Sequence, residues 1–147
     1  CGVNNRGGER SRAEWVRAKL AHWDDWNARR GPTARLYRDG LVSTGLTLPL
    51  VPEWADPVWH LYVVQHRERG AFQIFLTQAG VATMIHYPIP PHLQSAYASL
   101  GFKQGSFPVS EALHDHVLSH PMGPAPTASA TGIVHDSARK AFFPLIP

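Results

Sequence analysis

Along the first third of the chain, Val16, Leu20, Trp23 and Asn27 fall on one stripe at helical spacing, with Trp15, Lys19 and Trp26 beside it. This pattern predicts a helix over 9–30, after a glycine- and asparagine-rich loop at 1–8. Gly31-Pro32 is expected to end that helix, because proline disfavours helix at the residue before it and glycine suits a C-terminal cap. A further helical turn, Thr33 to Asp39, closes at Gly40. Residues 41–57 carry Pro49, Pro52 and Pro57 and read as an extended connector. The run VWHLYVVQ at 58–65 is aromatic and β-branched and predicts a strand. Arg67 to Gln78 predicts an amphipathic helix with Phe72, Phe75, Leu76 and Ala79 inward and Gly80 as its cap. Residues 81–86 (VATMIH) predict a second strand, followed by a proline-punctuated loop from Pro88 to Pro91. Short helices are expected at His92–Leu100, stopped by Gly101, and from Phe107-Pro108 to about Leu118. A loop at 119–127 and a last helix from Ser129 to Phe143, weakened by Gly132, complete the chain. Strand, helix, strand and then helices predict an α/β, α+β-like layer packed on one small sheet.

At 147 residues the chain suits one domain that buries its own core. The 44% hydrophobic and 17% charged content excludes a disordered tail as its main identity. Neither a membrane span nor a secretory leader is recognisable. The single cysteine, Cys1, excludes an internal disulfide and a cysteine-based zinc site, so a reducing, cytoplasmic setting is expected. The chain begins at Cys1 and not at a methionine, and it reads as a piece of something longer.

The net charge is +3, and eight of eleven arginines lie within residues 1–38. Glu9, Glu14, Asp24, Asp25 and Asp39 interrupt this stripe, which therefore reads as a solvated helix face and not as a nucleic-acid surface. His114, His116 and His120 invite a metal reading. The helix is expected to end near Leu118, however, which breaks the spacing, and solvated surface histidines are the favoured reading. His86-Tyr87-Pro88 stands where a strand runs into a stiff loop. It reads equally well as a binding element or as a core histidine bonded to backbone. No phosphate loop, nucleophile elbow or carboxylate pair is present. The lysines Lys19, Lys103 and Lys140 all lack the apolar surroundings that imine chemistry needs.

The ordered string HLYVV, AGVATMIHYPIPPHLQSAY, LGF, GSFPVSEAL and VLSHPMGP resembles the C-terminal part of the DegT/DnrJ/EryC1/StrS family of sugar aminotransferases that use pyridoxal 5'-phosphate. IHYPIPPHLQ is similar to the branch that makes 3-amino-3,6-dideoxyhexoses on a dTDP carrier. VRAKL followed by WDDWNARR resembles the family's long helix and its Asn-x-Arg-Arg segment. Gly2-Val3-Asn4-Asn5-Arg6 resembles its Gly-x-Asn-Ser/Tyr-Arg turn. The resemblance implies the small domain of a fold type I enzyme, with an interdomain loop and linking helix at 1–31 and the C-terminal small domain at 32–147. It implies that Asn4 reaches the cofactor phosphate of the opposite subunit in a homodimer, with Arg6 in the same turn. His86 and Tyr87 match the loop that approaches the nucleotide-sugar substrate. An amino acid such as glutamate would be the donor. The cofactor lysine lies upstream of Asn4, in the N-terminal domain that carries pyridoxal phosphate and is outside this chain.

Three features depart from the family. The lysine is missing, residues 7–14 (GGERSRAE) do not match, and His120 stands at an apolar position, with weak similarity after Pro126. Together they describe a fragment that is inactive alone, because transamination needs a lysine, a carboxylate on the pyridine nitrogen and phosphate anchors. A non-catalytic remnant or interaction domain is the rival reading.

Overall fold

A computed structural model describes residues 6–123 together with Gly132, Val134 and Asp136, with side chains from Ser11 onward. Two helices lead. α1 spans Arg6–Leu20 and α2 spans Trp23–Leu41. The helix predicted over 9–30 is therefore broken at Ala21-His22, and its second half runs through Gly31-Pro32. The charges explain the break: Arg17 and Lys19 end α1 and Asp24 and Asp25 begin α2, each suited to the helix end it occupies. Proline inside a helix removes one backbone hydrogen bond and costs about 3 kcal/mol. Burial of the C-terminal half of α2 offsets that cost: Thr33, Ala34, Tyr37 and Leu41 all turn inward.

The sheet is antiparallel and two-stranded. β1 is Tyr62–Gln65 and β2 is Val117–His120, with Tyr62 opposite His120 and Gln65 opposite Val117. Isolated bridges add Thr47 beside Gln65 and Met84 beside Ser119, so four segments lie side by side. Two sequence expectations change here. Residues 81–86 do not form a strand, because the Val81 N–H closes the end of the preceding helix on the Leu76 carbonyl at 2.8 Å and only Met84 pairs. Residues 117–120, read as helix end and loop, are the true partner of β1. The first strand is also shorter than 58–65. Trp59 takes a left-handed φ of 51°, costly for a bulky residue, and bends the chain just ahead of β1.

α3 (Arg69–Gln78) follows β1 and ends as expected at Gly80. Gly80, at φ 79°, donates to Thr77 while Val81 donates to Leu76, the paired cap that a left-handed glycine permits. Phe72 and Leu76 face inward and are buried, whereas Phe75 is half-buried and Ala79 exposed. The helix expected over 92–100 is two 3-10 turns, Pro91–Leu93 and Ser95–Leu100, stopped by Gly101 at φ 72°. α4 (Pro108–His116) runs directly into β2. The last expected helix, 129–143, falls mostly outside the described residues. Within it, Val134 holds a helical position and is buried.

Tyr37 and Leu41 from α2, Tyr62 and Val64 from β1, Phe72 and Leu76 from α3, Leu118 from β2 and Val134 share one core. The buried face of α2 starts at Thr33. From Ser11 to Pro32 the helical side chains are mostly exposed, including Trp15, Val16, Leu20 and Trp23. Among the described residues, no helix is long and apolar enough to cross a membrane.

Candidate functional site

His86 and Tyr87 follow the Met84 bridge and precede Pro88. Met84 exchanges both backbone hydrogen bonds with Ser119, at 3.1 and 2.9 Å, which anchors the segment to β2. The His86 ring is half-buried, and its Nδ1 lies 2.8 Å from the Ser119 hydroxyl. Tyr87 is 74% exposed and holds a left-handed φ of 57°. A bulky side chain in that region carries backbone strain, a feature that clusters at ligand clamps. The two rings stand 6.4 Å apart. Beyond them, Pro90 is buried, Leu93 donates to Pro90 and Gln94 Nε2 donates to the Ile89 carbonyl at 3.0 Å. The loop is thus tied down on both sides of an exposed tyrosine.

A second polar node supports the same loop. His92 Nε2 lies 2.9 Å from Glu111 Oε1. The two Glu111 oxygens also accept from the Gly105 N–H at 2.9 and 2.8 Å, and Oε1 accepts from the Phe107 N–H at 3.3 Å. These contacts hold the Glu111 carboxyl below its ordinary 4.5, the Gly105 N–H most of all, with partial burial opposing and His92 and Phe107 adding to the effect. The Phe107 ring packs on both His92 and Phe102, at 4.9 and 5.0 Å.

The histidines read as a metal candidate separate. His114 Nδ1 meets the Ser110 carbonyl at 2.7 Å, and His116 lines an open polar cleft of about 460 Å³ with Gly45, Thr47, Gln65, His66, Arg67 and Glu68. His120 is not a solvated surface residue. It is only 3% exposed, and among the described residues neither ring nitrogen has a hydrogen-bond partner. Burial pushes its pKa down from 6.5 to about 4, so the ring is neutral near pH 7. Among the described residues, no group of three histidine, cysteine or acidic side chains is placed to hold a metal. Burial also raises Tyr37 and Tyr62 to about 12. The Tyr37 hydroxyl donates to the Pro121 carbonyl at 2.9 Å, a structural bond.

Asn4 lies outside the described residues, and Arg6 is seen only as the first residue of α1. The described lysines, Lys19 and Lys103, are exposed, Lys19 with its Nζ 5.8 Å from the Trp15 ring. A cofactor aldehyde needs a lysine in a sheltered pocket, and the described residues provide none. They do not by themselves fit pyridoxal phosphate. The sequence reading missed Ser119, whose place beside His86 depends on the unforeseen β2. The only trace of it in sequence was its position in VLSHP.

The sequence model of the DegT/DnrJ/EryC1/StrS aminotransferase family matches residues 2–137. The chain is 53% identical over 110 residues to the erythromycin biosynthesis sensory transduction protein EryC1 of Saccharopolyspora erythraea, covering 74% of this chain and 30% of that protein. It is 43% identical over 123 residues to dTDP-3-amino-3,6-dideoxy-alpha-D-galactopyranose transaminase of Aneurinibacillus thermoaerophilus, covering 84% of this chain and 33% of that protein. The structure superposes on S. venezuelae DesV in complex with a ketimine intermediate with a TM-score of 0.83 at 38% identity, over 87% of this chain and 35% of that one. The chain spans about a third of the length of the curated relatives it matches.

Proposed function

Because the chain belongs to the DegT/DnrJ/EryC1/StrS aminotransferase family, we propose that it is the C-terminal part of an aminotransferase acting on a dTDP-linked keto-deoxysugar. An amino acid such as glutamate is the donor. The observation that carries this reading is the 43% identity to a dTDP-sugar transaminase over 84% of the chain. Residues 1–31 serve as interdomain loop and linking helix and 32–147 as the small domain, in keeping with a buried face that begins at Thr33.

In this reading, pyridoxal phosphate is held by an N-terminal domain, where it supplies the electron sink for moving the amino group. In the same reading Asn4 and Arg6 are assigned to the cofactor phosphate across a homodimer, Arg6 from the first residue of α1. His86 and Tyr87 face the sugar. Their loop is rigid before substrate arrives, which lowers the ordering cost of binding. The exposed Tyr87 hydroxyl and the His86 ring offer hydrogen bonds to sugar hydroxyls.

The test is a chimaera in which this chain replaces the C-terminal third of the Aneurinibacillus enzyme. The expected result is a cofactor-loaded protein that aminates the dTDP-keto sugar. A chimaera that folds and holds cofactor but turns over no dTDP-keto sugar used by the parent would instead establish a non-catalytic remnant.

A further inference from the structure

We infer that Ser119 is the positioning residue for His86, holding the imidazole by Nδ1 and leaving Nε2 as the nitrogen that meets a substrate. The inference rests on the assignment of His86 to the sugar loop.

Its basis is strand alternation. Side chains along β2 point to opposite faces in turn. Leu118 and His120 enter the core opposite Val64 and Tyr62, so Ser119 points the other way. It is nonetheless 4% exposed, because the 84–87 segment covers it. A hydroxyl so buried needs a partner within the protein. Its own backbone N–H and carbonyl are both used by Met84, and its Oγ meets His86 Nδ1 at 2.8 Å. One residue therefore fixes both the backbone two positions before His86 and the ring of His86 itself.

The consequence is chemical as well as geometric. The hydrogen bond at Nδ1 sets the orientation of the ring, and the Ser119 hydroxyl, able both to donate and to accept, serves either neutral tautomer. Among the described residues, Nε2 of His86 has no hydrogen-bond partner. With Nδ1 occupied, and with Tyr87 at φ 57° turning the chain directly afterwards, the ring presents Nε2 in one fixed direction. Ser119 thereby chooses which nitrogen is offered and where.

The experiment uses the full chain with 15N-labelled histidine and compares the ring 15N resonances of His86 in the wild type, Ser119→Ala, Ser119→Cys and Ser119→Thr. Backbone amide exchange at Met84 reports whether the bridge to β2 survives. The expected result is that Ala and the near-isosteric Cys lose the wild-type ring pattern, moving toward free imidazole, with the Met84 amide still protected. Thr, which keeps the hydroxyl, retains the pattern. An unchanged pattern in Ser119→Ala or Ser119→Cys with the bridge intact overturns the proposal, as does loss of the pattern in Ser119→Thr. No sugar or cofactor enters the measurement, so its failure is distinct from failure of the functional reading.

Discussion

The His120 ring lies 5.5 Å from that of Tyr37, with both imidazole nitrogens buried and without a hydrogen-bond partner among the described residues. Phe72 meets the same ring edge-on at 6.0 Å, and Tyr62 is its partner across the sheet. An apolar cage of this kind tolerates only the neutral form. With the folded pKa near 4 and the unfolded value near 6.5, the unfolded chain takes up a proton between these limits and the folded chain does not. Stability is fully present above pH 6.5 and declines as pH falls toward 4, by about 1.4 kcal/mol per pH unit. His120→Leu removes an unpaired buried polar group. It is expected to raise stability at pH 7 by ~1–3 kcal/mol and to flatten the pH 4–6.5 profile. Urea unfolding at several pH values checks both.

Glu111 fastens the loop at 101–107 through the Gly105 and Phe107 amides. Its lowered pKa makes this fastening present above about pH 4.5 and weaker as pH falls through the folded value. Glu111→Ala is expected to speed hydrogen exchange at these two amides about tenfold, with little change in the β1–β2 ladder. Equal loss of protection across the whole sheet would make Glu111 a determinant of global stability and not a loop fastener.

Trp15, Val16, Leu20 and Trp23 are 69%, 56%, 59% and 52% exposed on α1 and the start of α2. Apolar patches larger than ~400 Å² on a soluble protein promote association. The isolated chain is expected to bind an apolar dye and to show concentration-dependent sedimentation, and Trp15→Lys combined with Trp23→Lys is expected to reduce both. A sharp monomer boundary without dye binding would contradict this.

Mixing the isolated chain with pyridoxal phosphate is expected to give no stoichiometric imine absorbance, since the described lysines are exposed and lie in no sheltered pocket. Borohydride trapping on a single lysine, followed by mass spectrometry, is the check.

The sequence made the local signals legible and the long-range ones less so. Gly80 and Gly101 ended their elements as expected, because a left-handed cap is a property of one residue and its neighbours. Phe72 and Leu76 turned inward because a ten-residue helix carries enough period to show its face. Pro32 misled because its local cost is outweighed by the burial of Tyr37 and Leu41, which depends on tertiary partners. β2 was missed because four residues after a helix show too little alternation to be recognised. His86 and Tyr87 were visible through their loop, but Ser119 was not, since its role depends on a contact 33 residues away in sequence.

The most direct measurement of the central claim separates the two half-reactions in a complete enzyme formed by joining this segment to a cofactor-bearing N-terminal domain. His86→Ala and Tyr87→Phe are compared with the parent chimaera by single-turnover spectroscopy. Contacts worth ~1–3 kcal/mol to the sugar predict a roughly 5- to 150-fold loss in kcat/KM for the sugar half-reaction, with the amino-acid half-reaction little changed. An unchanged sugar half-reaction accompanied by a lower Tm would contradict the account and make both residues packing elements.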